Sequence, residues 1–403
     1  MTRLSVILIV VVAATSAVAV HDARAGGFAV AEQSTTAAGT GSAGTARTDD
    51  ASAAWYNPAA LADAGGWRIG FGILAAQPSL TARAMDGSWS TNNESAWITP
   101  PHVNASFASG DFAAGIALGV PYGSGVTWPA DWPGRFEIVR SKLEVFRASP
   151  FAAWRFGKWR VSGGLHVDAA RLRVGRQLDF IDTEGDVLVD MDGTGVGLDA
   201  AAFYQATDDV DVGLTYKSRT GIDLAGAADF EATPDAFSMK TVDQNATAHV
   251  TIPDRIALGA AWRTGEWTVL GDLEIATWSV YDELVIDFEN DATPDAKQTN
   301  NWTTTVGLRA GTEWRFARGW VGRGGAFYDP SPAQDDTLAP SSPDSSRVGV
   351  TLGATRAIGT DWYVDAFAEH LQLLGRQSQN ENSLAAEYSG HARMLGFGVR
   401  YQR

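Results

Sequence analysis

Three large aromatic side chains fall within residues 123–142, a segment with the length of a loop: Trp128, Trp132 and Phe136. Large apolar groups that are exposed to water commonly mark a surface that binds another apolar molecule. We therefore predict that this segment is a capture loop for a hydrophobic ligand. The sequence leaves one alternative open, because a loop of this length usually needs a small core of its own and the rings could form it.

Four basic residues form a second candidate set, because the strand pattern described below places them on polar faces: Lys217, Arg219, Arg309 and Arg315. A cationic side chain can pair with a ligand carboxylate that has left water, where an unpaired anion is costly. We therefore regard these residues as candidates for binding a ligand head group. Buried charges are usually paired within a protein, so neighbouring Asp and Glu residues are the alternative partners.

The residue patterns do not indicate an enzyme, a metal site or a cofactor site. The sequence has no G-x-S-x-G nucleophile motif, and its six histidines are scattered. Residues 39–44 match G-x-G-x-x-G formally, but no strand precedes them, as a dinucleotide site would require. The net charge of −16 argues against nucleic acid as a partner.

The rest of the chain consists of fourteen segments that each show two different faces, which is typical of strands. Six very short links and seven long loops alternate between them, a rhythm that indicates a closed up-and-down barrel in an outer membrane. Beyond the N-terminus the chain has no apolar run of about 18 residues, so transmembrane helices are not expected. The predicted strands span 67–79, 97–108, 111–122, 143–156, 159–180, 187–206, 210–226, 245–263, 266–288, 301–317, 320–328, 346–358, 361–376 and 390–402.

The two faces are clearest in residues 301–317. One face is apolar and is expected to meet lipid, whereas the other carries Thr, Gly, Arg and Glu and is expected to face a wet lumen. The apolar set is Trp302, Val306, Leu308, Ala310, Trp314 and Phe316. Aromatic residues also cluster at the short links, as Trp262 and Trp267 do, which indicates an interfacial belt. A soluble two-sheet sandwich is the alternative fold, although sandwiches rarely reach this strand count.

The N-terminal region divides into two parts of different composition. Residues 1–25 combine an early Arg, the apolar stretch Leu4–Val12 and an A-x-A pattern at Ala23–Ala25, which together predict a cleaved export signal. Residues 26–66 are rich in Ala, Gly, Ser and Thr and show no period of two, so they have little to bury alone. Beside a wide barrel formed by residues 67–403, this segment is expected to fold into the lumen as a hatch. A flexible periplasmic tail is the alternative.

Several motifs resemble those of the outer-membrane transporters for long-chain fatty acids and for aromatic hydrocarbons such as toluene. The most specific motifs lie in the hatch: Gly27-Phe28, Glu32-Gln33-Ser34, Gly39, Gly44, Asp49-Asp50-Ala51 and Asn57-Pro58-Ala59. Others follow in the barrel: Trp132-Pro133-Gly134-Arg135-Phe136, Leu214-Thr215-Tyr216-Lys217-Ser218, Ile252-Pro253-Asp254, Trp278-Ser279 and Ser342-Pro343-Asp344-Ser345-Ser346-Arg347. The resemblance covers the whole mature chain.

This resemblance implies an all-β fold, namely a 14-stranded antiparallel transmembrane β-barrel with an N-terminal hatch in the lumen. In this family a hydrophobic ligand settles between outer loops, enters a pocket in the barrel, and leaves sideways through a gap where the third strand kinks. The kink aligns here with Phe112–Gly115, so a lateral gate is expected at Phe112 and Gly115. The family's hatch is implied to rearrange, and its residues correspond to Phe28, Glu32, Ser34, Gly39, Gly44, Asn57 and Pro58.

The resulting prediction is passive uptake of long-chain fatty acids or related hydrophobic compounds across the outer membrane of a Gram-negative-type bacterium. An aromatic hydrocarbon channel is the main alternative. A general diffusion porin is a further one, against which the hatch argues. The expected partners are the hydrophobic ligand and the lipid and lipopolysaccharide of the membrane, with no nucleic acid, no metal and no cofactor. We expect a monomer.

Overall fold

The computed structural model describes residues 27–48 and 50–403. The predicted export signal, residues 1–25, and Asp49 of the hatch motif lie outside the described residues. Within the described part of the chain, no helix has the length and apolar character needed to cross a membrane.

One closed antiparallel sheet forms the body of the protein. The sheet closes because β1 pairs with β3 on one side and with β19, the last strand, on the other. Its strands are β1 Gly66–Ala84, β2 Ser90–Asn92, β3 Pro101–Ser109, β4 Phe112–Thr127, β5 Arg140–Phe156, β6 Trp159–Asp179, β7 Glu184–Gln205, β8 Val210–Lys217, β9 Thr220–Glu231, β10 Gln244–Ile252, β11 Arg255–Thr264, β12 Trp267–Ala276, β13 Glu283–Phe288, β14 Ala296–Thr299, β15 Thr305–Ala317, β16 Trp320–Asp329, β17 Arg347–Ile358, β18 Trp362–Gln377 and β19 Ala386–Gln402.

These nineteen strands occupy fourteen positions in the wall, because five positions each contain two successive strands. The divided positions are β2 with β3, β8 with β9, β10 with β11, β12 with β13, and β14 with β15. For example, β7 pairs with both β8 and β9. The predicted 14-stranded antiparallel barrel is therefore confirmed, and β4 is the third strand of its wall.

The short links form tight hairpins at one end of the barrel. Gly157 and Gly265 take positive φ angles of 61° and 57°, which side chains with a Cβ rarely adopt and which two-residue hairpins require. Aromatic rings cover the outer surface near these turns, and the rings of Trp267 and Trp314 stack with their centroids 5.2 Å apart. This arrangement matches the predicted interfacial belt.

The predicted faces hold within β15 but not before it. Arg309 and Glu313 are buried, whereas Ala310 and Trp314 are exposed on the outer face, as expected. Trp302 was predicted to face lipid, and this is wrong. It precedes β15 and packs inside against the ring of Phe28, at a centroid distance of 5.7 Å.

The described residues of the hatch contact strands on different sides of the cylinder. Gly41 N donates to Thr351 Oγ1 on β17 at 3.0 Å, and Gly44 N donates to Asp272 Oδ2 on β12 at 2.8 Å. Asn57 Nδ2 donates to the Ala202 carbonyl on β7 at 3.1 Å. Since these strands surround the lumen, residues 27–48 and 50–65 lie within it. Their regular elements are α1 Thr35–Ala38, α2 Ala53–Tyr56 and a 3-10 turn at Pro58–Leu61.

Wall glycines make room for the hatch at several points. A Cβ placed on Gly325 would lie 2.2 Å from the carbonyl carbon of Thr40, and one on Gly213 would lie 2.0 Å from the Thr45 carbonyl oxygen. Both neighbours are backbone atoms, which cannot move aside as a flexible side-chain end can. The glycines of the wall therefore allow close approach of hatch and strand, which is one use of glycine in a strand.

Candidate functional site

A cavity of about 540 Å³ lies between the start of the hatch and the upper part of the wall. Its apolar surface comes from inward-facing residues of β1, β4, β5, β18 and β19, among them Leu74, Ala76, Leu80, Val126, Leu143, Leu371, Leu373 and Met394. Hatch residues from Gly27 to Glu32 form another side, and residues 341–344 form a third. The cavity is therefore mainly apolar, with polar groups confined to a few places.

The wall beside this cavity is incomplete on one side of β4. The β3–β4 ladder runs only from Val103–Leu118 to Ser109–Phe112, whereas β4 continues to Thr127. Beyond the ladder, β5 is the strand that pairs with β4, and the register of this pair shifts between Gly119 and Tyr122. Among the described residues, no strand adjoins the upper edge of β4 on the β3 side, where Tyr122 forms an isolated bridge with Ala29 of the hatch.

This geometry corrects the predicted position of the lateral gate. Phe112 and Gly115 lie in a regular ladder with both neighbouring strands, and the Phe112 ring packs outside against Trp154. The irregular part begins at Gly119, four residues further along the strand. The sequence has glycine at both position 115 and position 119, and only the strand pairing distinguishes the two.

Hatch residues bind the free edge of β4. Val30 N donates to the Pro121 carbonyl at 2.8 Å, and Gly123 N donates to the Phe28 carbonyl at 2.8 Å. The side chain of Gln33 donates to the Val120 carbonyl at 2.8 Å and accepts from Val120 N at 3.0 Å. The hatch therefore supplies backbone partners that a neighbouring strand would otherwise provide.

Phe28 anchors this part of the hatch in a group of four aromatic rings. Its centroid lies 4.6 Å from that of Trp278, and the rings of Tyr281, Trp302 and Tyr122 lie at 5.5, 5.7 and 6.0 Å. Centroid distances of this size are typical of favourable edge-to-face contacts. Phe28 also lines the cavity, so its position decides the shape of the site.

The cavity extends to the outer surface of the barrel near the gap. Trp97, Ile98 and Phe146 line it and are also exposed, with 53%, 45% and 53% of their surface accessible. Trp97 and Ile98 belong to the segment between β2 and β3, which contacts the end of β4 where Glu94 N donates to the Thr127 carbonyl at 2.7 Å. Apolar side chains thus mark a continuous path from the cavity to the lipid-facing side of the wall.

The cavity lining contains the cations Lys142 and Arg347, and it also contains His391 and the carboxyl groups of Glu32, Glu144, Asp329 and Asp344. Arg347 Nη2 donates to the Ala29 carbonyl of the hatch at 2.8 Å, and its Nε lies 3.4 Å from Asp329 Oδ2. Lys142 Nζ lies 2.9 Å from Glu144 Oε1, and both side chains are partly exposed. In the adjacent outer loop, burial raises the pKa of Asp344, although Ser331 and Arg347 act in the opposite direction.

The four predicted head-group residues do not line this cavity. Lys217 Nζ lies 5.0 Å from the centre of the Trp55 ring, Arg219 pairs with Asp254 at 2.8 Å, and Arg309 pairs with Asp329 at 3.0 Å. Arg315 is exposed next to a short turn. Arg219 and Arg309 thus pair with carboxylates of the protein, which is the alternative that the sequence left open. The signal that could have identified Arg347 was the motif at residues 342–347, which borders the cavity.

The predicted exposed rings of the capture loop are buried instead. Trp128 and Trp132 are fully buried and stacked at 4.9 Å, and their indole N–H groups donate to the carbonyls of Pro340 and Ile138. Phe136 is half-buried under the guanidinium of Arg135. Trp128 and Trp132 belong to the buried core beneath the outer loops, and none of the three rings lines the cavity. The alternative of a loop that packs on itself therefore describes the structure.

The remaining hatch residues hold the segment in shape. Ser34 Oγ is hydrogen-bonded to Thr36 Oγ1, and Asn57 Nδ2 donates to the Thr45 carbonyl at 2.8 Å. A Cβ on Gly39 would approach the Gly353 backbone to 3.1 Å, and one on Gly44 would clash with Tyr56. Pro58 begins the 3-10 turn, and Glu32 lies at the cavity. Of the predicted hatch residues, Phe28 and Glu32 border the candidate site.

Comparison with known proteins gives a consistent result. Residues 16–402 match the family model described as outer membrane protein transport protein (OMPP1/FadL/TodX). The long-chain fatty acid transport protein of Salmonella typhi is 22% identical over 336 residues, which cover 76% of each chain. A FadL homologue from Pseudomonas aeruginosa has a TM-score of 0.85 at 18% identity, covering 94% of this chain and 100% of that one. The toluene transporter TodX of P. putida has a TM-score of 0.76 at 16% identity, covering 95% and 99%.

Proposed function

The chain belongs to the outer membrane protein transport protein family (OMPP1/FadL/TodX), and from this premise we propose that it carries long-chain fatty acids passively across the outer membrane. The family match makes it an outer-membrane transporter of hydrophobic compounds in a Gram-negative-type bacterium and not an enzyme. The choice of fatty acid as the ligand is our proposal. The observation that carries it is the size and lining of the cavity beside the hatch.

The cavity is larger than one aromatic ring requires. An engineered apolar cavity of about 150 Å³ is sufficient to bind benzene, whereas this cavity measures about 540 Å³. Its apolar lining favours an extended hydrocarbon chain, since burial contributes roughly 0.8 kcal/mol for each CH₂ group. A long acyl chain uses this volume better than a molecule such as toluene.

Two cations of the cavity lining are the groups that would hold an anionic head group. Arg347 and Lys142 line the cavity together with four carboxyl groups, those of Glu32, Glu144, Asp329 and Asp344. Each is already near a carboxylate, Asp329 and Glu144 respectively, so the ligand carboxylate would share these cations with the protein. A charge-assisted hydrogen bond to either group would offset part of the cost of taking the carboxylate out of water.

The gap beside β4 supports a sideways exit toward the membrane. Hatch residues Phe28, Val30 and Gln33 occupy the free edge of β4, so movement of this part of the hatch would widen the gap. Trp97 and Phe146 then offer an apolar surface that leads to the lipid. We therefore propose release into the bilayer at this gap, driven by the ligand's own concentration difference.

The proposal can be tested by filling the cavity. Ala76 faces inward and lines it, so Ala76→Trp should remove much of its volume, whereas Leu352→Trp adds the same ring on the lipid-facing side of β17. We expect Ala76→Trp alone to reduce the amount of C16-type fatty acid that co-purifies, measured by mass spectrometry, and to slow fatty acid uptake into cells. Equal retention in both variants would contradict the assignment of the cavity. Retention of toluene with no retention of fatty acid would favour the aromatic hydrocarbon alternative.

A further inference from the structure

Five charged side chains lie within electrostatic reach of one another where the hatch borders the floor of the cavity. Glu32 comes from the hatch, Arg309 from β15, Asp329 from the end of β16, Arg347 from the start of β17 and Glu369 from β18. Glu32 and Glu369 are 7% and 5% exposed, and Asp329 and Arg309 are also buried. The cluster therefore joins the hatch to four strands of the wall.

Within this cluster the two guanidinium groups lie close to the same carboxylate. Arg309 Nη2 lies 3.0 Å from Asp329 Oδ1, and Arg347 Nε lies 3.4 Å from Asp329 Oδ2. By contrast, both carboxyl oxygens of Glu369 are buried without a hydrogen-bond partner among the described residues. The charge of Glu32 also acts unfavourably on that of Glu369. Glu369 thus lacks hydrogen-bond donors and is repelled by the charge of Glu32, so this pair of carboxyl groups is the least stabilised part of the cluster.

The cluster has one positive charge too few to balance its carboxyl groups. Three carboxyl groups face two guanidinium groups, so full ionisation would leave one buried negative charge in excess. A buried charge without compensation is costly, and two neighbouring carboxylates commonly respond by sharing one proton. One bound proton would make this cluster neutral.

Other ionisable groups nearby do not supply the missing positive charge. Arg255 on β11 and Glu274 on β12 pair with each other at 2.5 Å, so they add no net charge. Tyr56 in α2 is neutral, and its hydroxyl donates to the Ala31 carbonyl. Asp344 in the outer loop beside Arg347 adds a further negative charge when it is ionised, while Arg376 pairs with Asp335.

We propose that Glu32 and Glu369 together hold one proton when the hatch is docked, and that loss of this proton weakens the docking of residues 27–34. The two carboxyl groups form a proton-binding site that is complete only when the hatch is in place, because Glu32 is carried by the hatch and Glu369 by the wall. The site therefore makes the position of the hatch sensitive to pH. This inference goes beyond the proposed transport of fatty acids, and its test needs no ligand.

The direction of the pH effect follows from linkage. Burial raises the pKa of Glu32 in the docked hatch, although Arg309 and Arg347 act in the opposite direction. The docked state thus holds its proton at pH values where a solvated glutamate, with a pKa of about 4.3, has lost it. Docking is strongest below that solvated value and weakens as the pH rises through the docked pKa.

A single cysteine can report the docking, because the chain contains no cysteine of its own. Ala31→Cys places a thiol at a hatch position that is buried when docked. Its rate of modification by a charged thiol reagent is measured over a pH series and divided by that of an exposed reference thiol, Ser238→Cys, which corrects for the reactivity of the thiolate. We expect the corrected rate to rise with pH by up to about tenfold for each pH unit, the limit for one proton.

Glutamine variants then test the assignment to this pair. Glu369→Gln has the shape of the protonated acid and no charge, so in its background the corrected rate should stay low across the series. Glu32→Gln should behave in the same way, whereas Glu289→Gln, in an exposed loop, should retain the pH dependence. Heat-dependent gel mobility checks that each barrel is folded.

Two results would overturn the proposal. One is a corrected rate that does not change with pH in the parent protein. The other is an unchanged pH dependence in folded Glu369→Gln and Glu32→Gln. If the labelling follows our expectation while the parent protein retains and carries no fatty acid, the proton site stands and the proposed ligand does not.

Discussion

Replacement of Phe28 by alanine should detach the start of the hatch. The ring is 5% exposed and has four aromatic neighbours within 6.0 Å. Truncation of a buried Phe to Ala typically costs about 3–5 kcal/mol. Here this cost falls on docking, because the four partner rings belong to the barrel and its outer loops and remain in place.

The hydrogen bonds of this segment are present before and after the substitution, so they do not offset the loss. The two backbone bonds between Phe28–Val30 and the β4 edge contribute about 1 kcal/mol each in net terms. A loss of about 3 kcal/mol would change the docking equilibrium of this segment more than a hundredfold. Phe28→Ala should therefore expose residues 27–34 while the rest of the hatch, held by Asp272 and Ala202, stays docked.

Limited proteolysis of the purified barrel, followed by mass spectrometry of the released N-terminal peptides, measures this exposure. Phe71→Ala is the matched control, because it removes the same ring from β1, where it faces lipid with 54% of its surface accessible. Cleavage before residue 35 should be faster in Phe28→Ala than in Phe71→Ala. Equal cleavage rates in two folded variants would refute the view that the aromatic group holds the hatch.

Three further outcomes are expected. Gly325→Ala should displace the hatch and make it more accessible to protease, because its Cβ would lie 2.2 Å from the Thr40 backbone, whereas Gly163→Ala, with no atom within 4 Å, should leave it unchanged. Trp132→Ala should destabilise the packing of the outer loops by about 3–5 kcal/mol, the usual cost of truncating a buried ring. Proteolysis of the loops should therefore begin at a lower temperature, and an unchanged temperature would contradict the role of Trp132 in the loop core. Arg347→Gln should weaken binding of a long-chain fatty acid more than that of the corresponding alcohol in a direct binding assay, and equal losses would exclude a contact with the carboxylate.

The wall of the barrel could be predicted from the sequence because its signals are local. The predicted segments 159–180 and 320–328 correspond to Trp159–Asp179 and Trp320–Asp329 in the structure. Alternation of apolar and polar residues and a glycine at a tight turn both act within a few residues. The predicted strand count therefore needed no information about distant contacts.

The candidate site could not be located in the same way, because distant contacts determine it. The gap in the wall depends on the bonds between Gln33 and Val120, which are separated by 87 residues. The burial of Trp128 depends on Pro340, and the role of Arg347 at the cavity depends on the Ala29 carbonyl. The sequence predicted that the aromatic rings capture ligand and that the luminal cations bind its head group. In the structure the two tryptophans pack in a buried core, and Arg219 and Arg309 pair with carboxylates of the protein.

The free edge of β4 explains why opening of the wall and movement of the hatch should be coupled. A backbone N–H or C=O group facing lipid without a partner costs several kcal/mol, so an open strand edge is not tolerated in the hydrocarbon region. Here Val120, Pro121 and Gly123 find their partners in the hatch, on the lumen side. When the hatch withdraws, these groups must be satisfied by water in the cavity, which a wet lumen can supply and lipid cannot. The gap is therefore stable only where it borders both the hatch and the cavity, and a ligand that displaces Phe28 and Val30 opens the side exit by the same movement.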